Sequence, residues 1–165
     1  MSTAAASPAR FEDIRVGDGL PRQTWTVAKE DIEAFGDFLY PATAQNPERR
    51  GNPHIDEEYA RQSIYGGLFV DGNQTVALLC RMATDWLPPG SLVCGFSEVD
   101  VKFPNPVRVA DVIAFSGEVS AKTTEGGRDR VRLEVLAQNQ AGKAVAVGAI
   151  CACVPRGGEM NNQGA

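Results

Sequence analysis

The chain has 165 residues, with 16 Lys+Arg against 21 Asp+Glu, one His and a formal net charge of −5. That length suits one domain with a single core, and a composition of 43% hydrophobic and 22% charged residues excludes collagen-like, disulfide-rich and generally disordered chains. The acidic balance argues against nucleic acid as a partner, because phosphate neutralisation needs a basic face.

Residues 1–10 are rich in Ala and Ser, with no basic segment followed by an apolar run, so no secretory signal is expected. No stretch approaches the roughly 20 apolar residues of a membrane span. A cytoplasmic protein with no membrane partner is the expectation. Residues 1–10 and 155–165 are expected to be disordered, bracketing one domain at 11–154. The first ordered piece is FEDIRVGD, followed by a strand near residues 23–27. Next, Ile32, Phe35 and Leu39 recur at the i, i+3, i+7 spacing of a helix with one buried face, which Pro41 ends.

Residues 41–53 (PATAQNPERRGNP) show no apolar periodicity and carry three prolines. A loop of that length suggests a functional lid. Residues 56–61 (DEEYAR) predict a short helix. Gly66-Gly67 then opens a longer one, LFVDGNQTVALLCRMATDWL, which Pro88-Pro89-Gly90 stops. Its stretch from Val76 to Cys80 is apolar on all sides, which places this helix in the middle of the protein.

The remainder reads as β structure. Phe96, Val99, Val101 and Phe103 form one run, and Ile113, Phe115, Gly117 and Val119 alternate in a second. Val131, Leu133, Val135 and Ala137 alternate in a third, and Val145, Val147, Ala149, Cys151 and Cys153 in a fourth. Gly126-Gly127 and Ala141-Gly142 mark the turns. Long hairpins after one central helix imply an α+β fold, a curved antiparallel sheet wrapped around that helix. Cys80, Cys94, Cys151 and Cys153 form no C-x-x-C pair and stand among apolar residues. They read as buried free thiols in a reducing compartment, and a metal site would need more ligands than one His offers.

These pieces, in this order, resemble the MaoC-like (R)-specific hydratases and dehydratases of enoyl thioesters, which have the hotdog fold. The resemblance runs from about Phe11 to Val154. FEDIRVGD is similar to the family's opening strand, and Asp31, Ile32 and Phe35 to its acidic-Ile-x-x-Phe helix. His54, Asp56 and Ala60 match its His-x-Asp and following Ala, and Gly66, Gly67 and Gly72 its Gly-Gly-x-x-x-x-Gly helix start. VKFPNPVRVADVI and NQAGKAVAVG resemble the strand after the helix and the last hairpin. The resemblance implies a lyase without a cofactor, working as a homodimer or a heterodimer. Its substrate is a 2-enoyl or 3-hydroxyacyl thioester of coenzyme A or a carrier protein. A backbone N–H at the helix start holds the thioester oxygen, where helix-terminal N–H groups and the dipole favour negative charge.

His54 falls where the family has its general acid/base, and a neutral imidazole can both accept and donate a proton. The family's Asp, from a D-x-N-P-x-H pattern, has no counterpart: three placements fall on Arg49, Pro41 or Ala44. Glu48 is a candidate displaced acid, and Asp56 reads as the cap of the short helix. Asp71, in the first turns of the central helix, is either a structural charge or the acid of a hotdog thioesterase. Tyr40 and Tyr65 are candidate donors to substrate or packing aromatics. Arg49 and Arg50 either meet phosphates of the thioester carrier or are solvated, and Arg128 and Arg130 read as plain surface. The leading function is hydration or dehydration with His54 as acid/base. The alternatives are a thioesterase using Asp71 and a catalytically impaired partner subunit that completes another chain's site.

Overall fold

The computed structural model describes residues 6–41 and 51–155. Within them the order is a short 3₁₀ turn (Phe11–Asp13), β1 (Gln23–Thr26), α1 (Lys29–Leu39), α2 (Glu57–Gln62), α3 (Gly72–Trp86), β2 (Glu98–Lys102), β3 (Val112–Glu125), β4 (Arg128–Gln138) and β5 (Ala144–Val154). FEDIRVGD therefore opens with a 3₁₀ turn rather than a strand, and its end joins β3 through the Gly17 N–H to the Val119 carbonyl, the Val119 N–H to the Asp18 carbonyl and an isolated bridge from Gly19 to Glu118. The terminal segments 1–5 and 156–165 and most of the expected lid, residues 42–50, lie outside the described residues.

All five strands form one antiparallel sheet in the order β1-β3-β4-β5-β2. The β3–β4 hairpin turns at Gly126 and Gly127, with φ of +57° and +77°, the left-handed pair that a two-residue turn demands. A register shift between Val119 and Ala121 adds local twist to the long strand β3. The sheet curves over α3, as the alternation predicts. Ile113, Phe115 and Val119 of β3 and Val131, Leu133 and Val135 of β4 are buried, as are Leu79, Met82, Ala83 and Trp86 of α3. Gly117 stands in the same row. A Cβ there would lie 3.3 Å from Leu20 Cδ2 and Met82 Cε, so its bare backbone lets both side chains seat on the sheet.

Strand β5 departs from the expected alternation. Its register puts Ala146, Gly148, Ile150 and Ala152 opposite the core row of β4, so the core face carries the even-numbered residues. The odd-numbered row from Val147 to Cys153 faces the other way, while Val145, at the register shift beside Gln138, joins the core cluster. Ala149 and Cys153 of that row are buried too. Gly148 is required by close approach: a Cβ there would sit 2.0 Å from the Asp100 carbonyl oxygen of β2.

The helices also depart in part. Along α1, Ile32 and Gly36 are buried, whereas Phe38 is 79% exposed and Leu39 lies at the surface. Gly36 meets Ile55, so the buried stripe is narrower than the i, i+3, i+7 spacing suggests. Helix α3 begins at Gly72, after the Leu68–Val70 run, and ends at Trp86 before the two prolines. It is not enclosed on all sides, because one sheet covers one face: Ala77 is exposed while Val76, Leu78 and Cys80 are half-buried. No disulfide joins the four cysteines; Cys94 is exposed, Cys80 and Cys151 are half-buried, and Cys153 alone of the four is buried. No helix of the described residues is long and apolar enough to cross a membrane.

Candidate active site

The segment carrying His54 is held by its two polar neighbours. Asn52 Oδ1 accepts from the His54 N–H at 2.9 Å, and the Asn52 carbonyl accepts from Ile55 and Asp56 N–H. Such side-chain-to-backbone bonds are how Asn fixes a turn. Asp56 then caps α2, accepting from Tyr59 N–H at 3.0 Å, while its second oxygen accepts from Gly51 N–H at 3.2 Å. The capping reading of Asp56 is the observed one.

Across the site, residues 69–71 run beside residues 107–108. Phe69 bridges to Arg108, and Val70 N–H donates to the Val107 carbonyl at 2.9 Å. This pairing delivers the Phe69 carbonyl to His54 Nδ1 at 3.0 Å. A carbonyl oxygen can only accept, so Nδ1 carries the proton of the neutral ring and Nε2 keeps a lone pair. The Phe69 ring meets the imidazole edge to face, with centroids 4.4 Å apart, and Tyr65 packs on Phe69 in turn.

Asp71 is the N-cap of α3 rather than a residue of its first turn. Its two oxygens have separate duties. Oδ1 accepts from the backbone and side-chain N–H groups of Asn73 at 2.8 and 2.9 Å. Oδ2 faces His54 Nε2 at 3.9 Å, and the carboxylate and imidazole side chains are only 10% and 20% exposed. The two residues that sequence reasoning set as rivals therefore form one pair. At the adjoining helix start, the Gly72 N–H has no acceptor among the described residues, as expected of a first-turn donor.

His54, Tyr65, Phe69, Val70, Gly72 and Thr75 line one side of a cavity of about 520 Å³, and Phe103, Asn105, Pro106, Val107 and Val145 the other. A Cβ on Gly72 would lie 3.0 Å from the Phe103 ring, so glycine lets that ring lie against the helix start. Another hollow, of about 550 Å³, lies along Arg22, Ser116, Glu118 and Glu134; it holds neither a His nor a Cys.

The other expected site residues divide. Gly72 and Tyr65 line the cavity, whereas Gly66 and Gly67 stand in the preceding loop, away from it. Gly66 has φ +67°, a turn requirement. Glu48, Arg49 and Arg50 lie outside the described residues. Tyr40 closes α1, its N–H donating to the Gly36 carbonyl. Arg128 stacks 3.7 Å over the Phe96 ring and Arg130 donates to the Phe96 carbonyl, so both have structural partners. Sequence reasoning missed Phe69, whose carbonyl orients the imidazole, and Thr75, Val107 and Val145 in the wall. No cluster of three potential metal ligands occurs among the described residues.

Residues 52–141 match the family model described as a MaoC like domain. Among solved structures, the chain is similar to the R-hydratase PhaJ1 from Pseudomonas aeruginosa, with 25% identity, TM-score 0.68, and 90% of this chain and 86% of that one covered. It is similar to a MaoC-like dehydratase from Rhodospirillum rubrum at 28% identity, TM-score 0.65, over 88% of this chain and 96% of that one. The ChsH1-ChsH2 complex from Mycobacterium tuberculosis shares the fold, at 20% identity and TM-score 0.68, over 86% of this chain and 98% of that one. A search among curated proteins returned no match.

Proposed function

Because this chain belongs to the MaoC-like domain family of hotdog hydratases and dehydratases, we propose that it hydrates a 2-enoyl thioester in the (R) sense, or dehydrates the 3-hydroxyacyl thioester. The observation that carries the reading is the meeting of His54 Nε2 and Asp71 Oδ2, 3.9 Å apart, where Val70 and Gly72 line the cavity. Atoms that far apart can share one water molecule, each at ordinary hydrogen-bond distance. Nε2, with its lone pair, accepts a proton from that water as the oxygen bonds to C3 of the enoyl group. The electron pair of the double bond moves through C2 to the thioester oxygen, where the Gly72 N–H and the α3 dipole offset the developing charge. The imidazolium then returns its proton to C2, so the elements of water are added and the enzyme is restored. Dehydration is the reverse.

Asp71 stands in for the family's absent Asp in this scheme. Its carboxylate orients the water and faces the charge that forms on the imidazole. Coenzyme A or a carrier protein is the proposed thioester carrier, and the cytoplasm the proposed compartment, a reading supported by four cysteines outside any disulfide. A twofold dimer is proposed because β1 and β2 leave the outer edges of the sheet open. A heterodimer is the alternative partner arrangement. Assay with crotonyl-coenzyme A, following enoyl absorbance and free thiol together, tests the reading. Loss of enoyl absorbance without thiol release supports hydration. Thiol release favours the thioesterase reading, and no turnover by the pure chain favours the partner-subunit reading.

A further inference from the structure

Helix α3 carries, one turn beyond Asp71, a hydroxyl that the protein itself does not use. Thr75 is only 2% exposed and lines the cavity beside His54 and Gly72. Threonine inside a helix commonly bonds back to a carbonyl of the preceding turn. Thr75 Oγ1 has no hydrogen-bond partner of any kind among the described residues. Nor is that oxygen sealed into the core: the sealed side-chain atom lacking a partner is Gln74 Oε1. Its open side is the cavity.

We propose that Thr75 contacts the substrate, hydrogen-bonding the oxygen at C3 of a 3-hydroxyacyl group, so that the site selects an acyl chain oxygenated there over its plain alkyl counterpart. This deepens the hydratase reading and rests on it. Asp71 caps α3 and Thr75 lies four residues on, so the two stand one turn apart on the same face of the helix start. One oxygen atom fits between a carboxylate and a hydroxyl at that separation. A hydroxyl both donates and accepts, so it serves the attacking water and the resulting alcohol alike. The neighbouring wall, Val70, Val107 and Val145, is apolar and suits the carbons beyond C3. An alkyl chain without the C3 oxygen would press against the hydroxyl and leave it unpaired, which disfavours that ligand.

The test is calorimetric binding of two coenzyme A analogues in which NH replaces the thioester sulfur, a change that makes the C2 proton too weakly acidic to be lost. One carries a 3-hydroxybutanoyl group and the other a butanoyl group. The intact chain should bind the hydroxylated analogue about tenfold more tightly. Thr75→Val, which keeps the shape, should lose that preference, and Thr75→Ser should keep it. Should Thr75→Val melt early, Thr75→Ala takes its place. Equal affinity in the wild type, or a preference that survives in the variants lacking the hydroxyl, overturns the role of Thr75 and leaves the thioester reading standing. If neither analogue binds, both fall.

Discussion

Asp71→Asn is the substitution that best separates the roles assigned to the paired side chains. Asparagine keeps the shape of the carboxylate and an oxygen able to accept from the Asn73 N–H, so the cap of α3 survives in outline. What disappears is the negative charge 3.9 Å from His54 Nε2. When the imidazole takes a proton, that charge is worth about 1 kcal/mol in a water-like surrounding and about 4 kcal/mol at an effective dielectric near 20. With both side chains largely buried, turnover of crotonyl-coenzyme A should fall by roughly 10- to 1,000-fold. His54→Ala removes the proton-transfer group itself, a loss of about 10²–10⁴. The double variant should then be little worse than His54→Ala, because a charge that acts through the imidazole has nothing left to act on. Steady-state absorbance of the enoyl group measures all four proteins, with thermal melts as the folding control. Additive losses would refute the coupling. Abolished thiol release in Asp71→Asn, with little effect of His54→Ala, would replace hydration by thioester hydrolysis.

Gly148→Ala should destabilise the fold by about 1–3 kcal/mol, because the new Cβ would lie 2.0 Å from the Asp100 carbonyl of β2; an unchanged melting temperature would contradict the close approach. Glu57 is held below the usual carboxylate range by hydrogen bonds from Lys29 and Arg61. Its contribution is therefore complete above the ordinary value of 4.5 and is lost as pH falls through the depressed one. The difference in melting temperature between wild type and Glu57→Gln should accordingly be small, close in acid and shrink at 1 M salt. Native alkylation followed by mass spectrometry should label exposed Cys94 first; Cys80, whose thiol burial pushes up, should react slowly at neutral pH. Light scattering at micromolar concentration should find a dimer, and a monodisperse monomer would remove the proposed pairing of sheet edges.

The sheet was legible in the sequence wherever polar and apolar residues alternate cleanly. Arg130, Arg132 and Glu134 facing Val131, Leu133 and Val135 leave β4 one possible orientation. In β5 the neighbours Val145 and Ala146, Ala149 and Ile150, and Ala152 and Cys153 are all apolar, so period two carries no preference for a face. The pairing with β4 decides it. The start of α3 was misplaced for a related reason. Leu68 to Val70 continues the apolar run of the helix, although Asp71 has the side chain of an N-cap and Gly72 follows it.

The pair at the centre of the site was harder to read, because an alignment seeks a missing carboxylate near its familiar place in the chain. The chemistry asks only that a carboxylate oxygen face the imidazole. His54 and Asp71 stand 17 positions apart and meet because the Val70–Val107 hydrogen bond lays residues 69–71 along another segment. A cap ordinarily explains an Asp at a helix start, and here it explains only half of one: Oδ1 serves Asn73, and Oδ2 is left facing His54. Capping and acid–base chemistry are therefore compatible uses of a single side chain. The helix bond that satisfies Oδ1 also fixes the direction of Oδ2, so the structural duty of Asp71 is what would make its catalytic one possible.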